Sequence, residues 1–119
     1  CYLGTHGCSL RLGKANAAVN VRMQEGRQDF GYGPSYFDLL LFSASDCFGD
    51  RLQVVLLSGA ETGNLEGLRY MRENGGRLLV QDRATCMMPA SLAATIEENL
   101  CDEECELKDI AARIAAWGR

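Results

Sequence analysis

The sequence has little of what several large classes of protein require. Only one of its 119 residues is a histidine, His6. Acidic residues outnumber basic ones by 16 to 12, whereas a nucleic-acid partner calls for a basic face. No apolar run approaches the roughly 18 residues that a membrane span needs, and the first residues lack a signal-peptide pattern. We therefore expect one cytoplasmic domain over residues 1–119, with no nucleic acid as partner and no membrane insertion.

Cysteine, in contrast, is plentiful, at positions Cys1, Cys8, Cys47, Cys86, Cys101 and Cys105. An even number would allow disulfides, but the missing secretory signal favours reduced thiols that pack as small hydrophobic side chains. The groups Cys101-x-x-x-Cys105 and Cys1…His6…Cys8 lack the paired CxxC spacing of structural zinc sites. The sequence predicts no metal and no other cofactor. Because it begins at Cys1 and not at Met, we also expect a processed or excised piece of a longer protein.

The stretch from Leu52 to Asp82 predicts a strand, a loop, a helix and a second strand. Gln53–Leu57 is an apolar run that stops at Ser58, as in a strand buried on both faces of a parallel sheet. A helical pattern, a glycine pair and a second apolar run follow: Leu65, Leu68 and Met71, then Gly75-Gly76, then Leu78–Val80. Open α/β folds place their chemistry in the loop after the first strand of such a unit, here Ser58–Gly67.

The residues before this unit predict a hairpin and a helix. Ser9–Leu12 and Ala18–Met23 alternate apolar and polar residues on either side of a turn at Gly13–Asn16, which indicates a β-hairpin at the margin of the fold. Ser35 and Asp38 form an S-x-x-D capping box, so a helix should begin at about Tyr36 and end near Gly49. Its apolar residues, on nearly all sides, are typical of a buried helix.

The residues after the unit predict two more helices, one from about Ala90 to Asn99 and one from about Lys108. The last helix carries an apolar stripe that should pack on the sheet, formed by Leu107, Ile110, Ile114 and Trp117. The acidic run within Glu97–Glu106 is typical of a solvated surface.

The loop Ser58–Gly67 could bind an anion at the start of the helix that follows it. It lacks the GK[ST] ending of a P-loop and the spacing of GxGxxG, which argues against a nucleotide. Ser58 lacks the G-x-S-x-G context of an activated nucleophile, and His6 has no evident reason to lie near it. A small ligand stays an open alternative.

An ordered set of short motifs runs along nearly the whole chain. It comprises Tyr2-Leu3, Pro34-Ser35, Asp38, Leu39-Leu40, Ser43, Leu57-Ser58-Gly59, Gly67-Leu68, Gly75-Gly76, Gln81-Asp82, Ala84-Thr85 and Met88-Pro89. In order and spacing the set resembles the catalytic domain of the CheB-type protein-glutamate methylesterases of bacterial chemotaxis. The resemblance implies an α/β fold, with a doubly wound, mostly parallel sheet flanked by helices, a marginal β-hairpin and the first strands missing.

The resemblance also implies a reaction, the hydrolysis of methyl esters on chemoreceptor glutamates by a Ser-His-Asp triad. The family serine and histidine precede the YIAPG-like segment with which this chain begins. The family aspartate belongs to the central loop, where an ungapped alignment places Gly63. Glu61, the nearest carboxylate, stands two residues too early. We therefore predict no catalytic residue in this chain and a vestigial site loop that holds Ser58, Gly59, Glu61, Thr62 and Gly63.

These expectations leave three hypotheses for the function. The first is a degenerate CheB-like domain that acts as a non-catalytic regulatory or interaction module in bacterial signal transduction. The second is a fragment of an active methylesterase whose serine and histidine lie upstream. The third is a small α/β module that binds a ligand through Ser58–Gly67. We expect a chemoreceptor or another signalling protein as partner, and a possible homodimer through an uncovered sheet edge.

Overall fold

A computed structural model of the chain describes residues 8–15, 18–25, 35–58, 65–86 and 90–117. Their strands and α-helices are β1 (Cys8–Ala15), β2 (Ala18–Glu25), α1 (Tyr36–Phe48), β3 (Gln53–Leu56), α2 (Glu66–Glu73), β4 (Arg77–Gln81), α3 (Ala90–Glu97), β5 (Glu103–Cys105) and α4 (Ile110–Trp117). Short 3₁₀ turns occupy Gly49–Arg51, Arg83–Thr85 and Leu107–Asp109. None of the helices in these ranges is long and apolar enough to cross a membrane.

The chain divides into two compact units. The first, which we call the hairpin unit, comprises Cys1–Leu52 and Thr62–Gly76 and contains β1, β2, α1 and α2. The second, which we call the sheet unit, comprises Gln53–Glu61 and Arg77–Arg119 and contains the other strands and helices.

In the hairpin unit, β1 and β2 pair antiparallel, as the alternating pattern predicted. The pairing runs from Cys8 opposite Glu25 to Ala15 opposite Ala18. The predicted turn was wrong in part, because Gly13 pairs with Asn20 and the ladder continues through Ala15. Glycine is weak in a strand but does not end one when its neighbours keep the register.

Helix α1 begins where the capping box predicted. The Ser35 side chain accepts from the Asp38 N–H, and the Asp38 side chain accepts from the Ser35 N–H. The helix ends before Gly49, which has a φ of 55°. The expectation of a helix buried on all sides was wrong, because Leu40 and Phe42 are only half-buried. One face is buried, with Leu41, Ala44 and Cys47, and the helix contacts β1 and α2.

Helix α2 confirms the apolar spacing of the central unit. Leu68 and Met71 are completely buried, and the Tyr70 ring packs edge-to-face on Phe42 of α1, with the ring centroids 5.3 Å apart. The glycine pair ends the helix as predicted. Gly75 has a φ of 85°, a conformation that favours glycine, and a side chain on Gly76 would overlap Met71.

In the sheet unit, β3, β4 and β5 form a parallel sheet in that order. Strand β4 is the centre, with Leu78, Leu79 and Val80 fully buried. The expectation that β3 is buried on both faces was wrong. Val54 and Val55 are half-buried and Leu57 is 46% exposed, since within the described residues β3 pairs only with β4.

Strand β5 was missed, because it lies inside the acidic run that was predicted to be solvated surface. Glu104 is exposed, which agrees with that prediction, but Cys105 is buried against Leu79 and Ile110. Asp102 fixes the start of the strand, since its carboxylate accepts from the Leu78 N–H at 2.7 Å. Only one of the three residues of β5 is buried, and one apolar position does not give the alternation that predicts a strand.

Helix α4 confirms half of its predicted stripe. Ile110 is buried and Trp117 is half-buried, with the Arg77 guanidinium 5.9 Å from the centre of its ring. Leu107 and Ile114, in contrast, are 57% and 43% exposed. Leu107 belongs to a 3₁₀ turn that precedes the helix, so the helical spacing does not extend to it.

Candidate functional site

The candidate site is the loop that joins β3 to α2, and its first described residue is Ser58. The exposed Ser58 follows the carboxyl end of β3, and its backbone N–H donates to Oε1 of Gln81 at 2.9 Å. Gln81 is the last residue of β4 and is 3% exposed. Because β3 and β4 are parallel, their carboxyl ends lie at one edge of the sheet, and the amide of Gln81 holds the start of the loop there.

The amide of Gln81 is bonded at both of its ends. Nε2 donates to the carbonyl oxygen and to Oγ1 of Thr85, each at 3.2 Å. Thr85 Oγ1 in turn donates to the carbonyl of Asp82, and the Asp82 carboxylate accepts from the Ala84 N–H. Gln81 therefore ties the loop after β3 to the 3₁₀ turn after β4, and its buried polar atoms are all satisfied.

Ser58 has a thiol as neighbour. Burial raises the pKa of Cys86, the charges of Asp82 and Glu104 add to the rise, and a hydrogen bond with the Ser58 side chain opposes it. A thiol with a raised pKa stays protonated at neutral pH and is a poor proton acceptor and nucleophile. The only histidine, His6, lies outside the described residues. None of the described residues is therefore a histidine that could act as a general base for Ser58.

At the other end of the loop, the first turn of α2 is held by a buried carboxylate of the hairpin unit. The Gly67 N–H donates to Oδ1 of Asp38 at 2.8 Å. Oδ2 of Asp38 accepts from the N–H and the hydroxyl of Ser35, at 3.0 and 2.9 Å. Asp38 is completely buried, and its charge lies in the first turns of both α1 and α2, where helix dipoles favour an anion.

A close helix contact and a left-handed backbone conformation lie next to this bond. A Cβ on Gly67 would lie 2.7 Å from the Cα of Asp38 and 3.0 Å from the Cβ of Leu41, so only glycine fits between the helices. Leu65, the N-cap of α2, has a φ of 64°, a conformation that costs a non-glycine residue about 1–2 kcal/mol. Leu65 is itself buried, and this burial offsets the strain.

The remaining residues of the predicted vestigial loop, Gly59, Glu61, Thr62 and Gly63, lie outside the described residues. The predictions that Gly63 occupies the aspartate position and that Glu61 is misplaced therefore stay predictions. In the described ranges, no group of at least three His, Cys, Asp or Glu side chains is arranged to hold a metal ion. The free cysteines there are Cys47, Cys86, Cys101 and Cys105, of which Cys47 and Cys105 are buried.

The described ends of the loop are anchored by groups with structural roles. Asp38 was predicted as a helix cap, but its bond to Gly67 was not foreseen, and neither was the role of Gln81. The signal for both was available, because Asp38, Gly67 and Gln81 all belong to the motifs that carry the family resemblance. The Gly67 N–H, which an anion would use at this helix start, is already bonded to a carboxylate of the protein.

Comparison with known proteins agrees with this geometry. The family model described as CheB methylesterase matches residues 1–114. The protein-glutamate methylesterase/protein-glutamine glutaminase 2 of Nitratidesulfovibrio vulgaris is 29% identical over 113 residues, which are 95% of this chain and 30% of that relative. A protein-glutamate methylesterase/protein-glutamine glutaminase of Moorella thermoacetica is 35% identical over 79 residues, 66% of this chain and 19% of that relative.

A solved structure shares the fold. The CheB methylesterase catalytic domain of Thermotoga maritima superposes with a TM-score of 0.77 and 23% identity, over 94% of this chain and 59% of that chain. The chain thus spans less than a third of the Nitratidesulfovibrio relative, 30% of its length. The match of the family model over nearly every residue, with the shared α/β fold, shows that this chain belongs to the CheB methylesterase family.

Proposed function

We propose that these residues form a single CheB-like domain without esterase activity of its own, which acts as a regulatory or interaction module in bacterial chemotaxis. Gly63 carries the proposal. The family resemblance places the triad aspartate at this position, and glycine has no carboxylate to orient a histidine. Loss of that aspartate alone costs on the order of ten thousand-fold in rate.

The proposed partner is a chemoreceptor or another signalling protein. The relatives named above are protein-glutamate methylesterases, so their substrates are glutamate side chains within proteins. A domain of this family with an inactive site would still present the surface that faces such a protein. Hydrogen bonds to Gln81 and Asp38 fix the two described ends of its loop.

Methanol release from a receptor peptide that carries glutamyl methyl esters tests this proposal. We expect no release above the buffer rate from the 119-residue chain, and release about ten thousand-fold below the rate of an active relative from a longer natural polypeptide that supplies serine and histidine. Turnover by the longer polypeptide at the rate of an active relative would overturn the proposal. A pull-down with the same receptor, methylated and unmethylated, tests the binding role independently of turnover.

A second candidate is an active esterase in which the rest of a longer polypeptide supplies serine and histidine. The chain covers only 30% of the Nitratidesulfovibrio relative. This coverage favours the second candidate, because a longer polypeptide has room for both residues outside this chain. Turnover by the unsubstituted longer polypeptide separates the two candidates, and the variant Gly63→Asp tests whether the missing carboxylate limits the rate. If serine and histidine are present, the new carboxylate should raise kcat by up to about ten thousand-fold. Gly59→Asp, in the same loop, is the matched control and should raise nothing.

The outer edge of β3 supports a proposed homodimer. Within the described residues β3 pairs only with β4, and the apolar residues Val54 and Val55 are half-buried. Unpaired strand edges recruit other strands. Light scattering should therefore give twice the mass of the 13.0 kDa chain at high concentration. A proline at Val54 should shift the mass to that of the monomer, and an unchanged monomer mass for the natural chain would contradict the dimer.

A further inference from the structure

Two arginines face each other across the hairpin. Arg11 of β1 is directly opposite Arg22 of β2 in the antiparallel register, and both side chains are exposed. Residues that are directly opposite in such a pair project from the same face of the sheet, with their Cβ atoms about 5 Å apart. The hairpin therefore presents two guanidinium groups side by side.

No carboxylate of the described residues neutralises this pair. Strands β1 and β2 contain three basic residues, Arg11, Lys14 and Arg22, against one acidic residue, Glu25 at the end of β2. Ion pairs among the described residues include Arg83 with Glu104, Lys108 with Glu106, and Arg113 with Glu103, and none of these three involves Arg11 or Arg22. Like charges directly opposite destabilise a hairpin, and this pair occurs in a chain whose net charge is −4.

The surface beside the two arginines is open. The next pair on the same face is Gly13 opposite Asn20, and a Cβ on Gly13 would meet no atom within 4 Å. A shallow groove of about 210 Å³ runs along this part of the hairpin, and its lining includes both arginines, Lys14 and Asn20. A partner can therefore approach the backbone closely, with an amide next to the two cations.

We propose that Arg11 and Arg22 bind the carboxylates of an acidic helix on a partner protein, with glutamates one turn apart. The Cβ atoms of helix residues i and i+4 are about 5–6 Å apart, which matches the separation of the two arginines. Each guanidinium offers a planar fork of donors that suits a carboxylate. Asn20 adds a hydrogen bond at the side, and Gly13 leaves room for the helix backbone.

The partner's identity as a glutamate-bearing protein rests on the proposed function, since the relatives act on protein glutamates by name. The binding site itself rests only on the hairpin. Lys14 is an internal control for it, because it lines the same groove but pairs with Val19, and alternation starts its side chain from the opposite face to Arg11. A general attraction of acidic chains to the basic hairpin would use Lys14 as much as the arginines.

Fluorescence anisotropy with two labelled helical peptides tests the site on the whole chain. One peptide carries glutamate at i and i+4, and the other carries glutamine there. We expect R11Q and R22Q each to weaken binding of the glutamate peptide about tenfold, the size of one lost charge-assisted hydrogen bond. K14Q, which removes the same charge, should change it by less than about twofold because exposed charges are screened.

Several results would overturn the proposal. They are equal binding of the glutamate and glutamine peptides, an equal loss in K14Q, displacement of the peptide by equimolar inorganic phosphate, or tighter binding to phosphatidylglycerol vesicles than to the peptide. Backbone amide shifts of β1 and β2 in each variant show that the hairpin persists. No step of the assay needs turnover, so an active esterase would refute the proposed function and leave this binding result intact.

Discussion

The backbone N–H of Gly67 and the carboxylate of Asp38 are joined by a 2.8 Å hydrogen bond between residues 29 positions apart in the sequence. The bond ties the first turn of α2 to the first turn of α1, on a side chain that is completely buried. Helix packing this close depends on the missing side chain of Gly67. The pair therefore fixes the end of the candidate loop before any chemistry is considered.

Gly67→Ala should destabilise the chain strongly. Its Cβ would lie 2.7 Å from the Cα of Asp38, which is backbone and cannot rotate away. Overpacking of this kind costs about 1–3 kcal/mol. Urea unfolding should show the loss, while Gly13→Ala, where a Cβ meets open space, should leave stability unchanged or slightly higher. Equal losses of unfolding free energy in the two variants would mean that a Cβ at position 67 has room between α1 and α2.

Asp38→Asn tests the carboxylate itself. Three donors, the Ser35 N–H, the Ser35 hydroxyl and the Gly67 N–H, now share its two oxygens. An amide has one oxygen, so either Ser35 or Gly67 loses its acceptor, at a cost of about 1–3 kcal/mol. Asp46→Asn is the control, because that carboxylate is exposed and accepts a hydrogen bond from the Tyr70 hydroxyl. A loss no larger than in the control would refute the role of Asp38.

How much the sequence could predict depends on whether a feature is local. The capping box of Ser35 and Asp38 and the spacing of Leu68 and Met71 involve residues within one turn, and both were correct. The bond from Asp38 to Gly67 was not foreseen, because the family motifs mark both residues but spacing along the chain does not give the distance between them. The apolar run of β3 gave the right element but the wrong burial, since a pattern of side chains does not say which neighbours a strand has.

The C-terminal part shows the same limit. The acidic side chains of Glu103 and Glu104 indicated a solvated surface, but both residues belong to a strand that pairs with β4, and Cys105 at its end is buried. In the candidate loop, the family motifs pointed to the right residues, but their roles follow from contacts. The role of Gln81, for example, follows from its hydrogen bonds to Ser58 and Thr85, which link the loop after β3 to the turn after β4.

Gln81→Leu should loosen the start of the candidate loop. It removes the acceptor of the Ser58 N–H and the donors to Thr85 while keeping an apolar volume in the core. We expect a loss of about 1–2 kcal/mol and faster hydrogen exchange at the Ser58 amide, measured by NMR. Gln53→Leu, at a half-buried position at the start of β3, is the control and should not change that amide. Unchanged exchange in Gln81→Leu would contradict the tie.

The thiols should make stability fall at alkaline pH. Burial is the first cause of the raised pKa values of Cys86 and Cys101, so the folded state keeps protons that the unfolded chain releases near pH 8.5. Their contribution is complete below that pH and is lost as pH rises through the folded pKa values. Urea unfolding should show a decline between about pH 8.5 and 9.5, before tyrosine titrates. The double variant Cys86→Ala, Cys101→Ala should flatten this decline, and an equally steep curve would count against these two partly buried thiols as its cause.

Arg11→Glu should stabilise the hairpin while it abolishes the proposed binding of acidic helices. The substitution replaces two like charges in direct register by an ion pair with Arg22. Opposite charges in such a cross-strand pair stabilise the hairpin by about 0.2–1 kcal/mol relative to an alanine pair. Because both positions are exposed, the gain should shrink in 1 M salt. Lys14→Glu makes the same change of net charge opposite the uncharged Val19 and should give no comparable gain.

Thermal unfolding of the three proteins at low and high salt measures the difference. A destabilised Arg11→Glu would show that the arginines are not in repulsive contact, and a gain that equals that of Lys14→Glu would trace the effect to net charge.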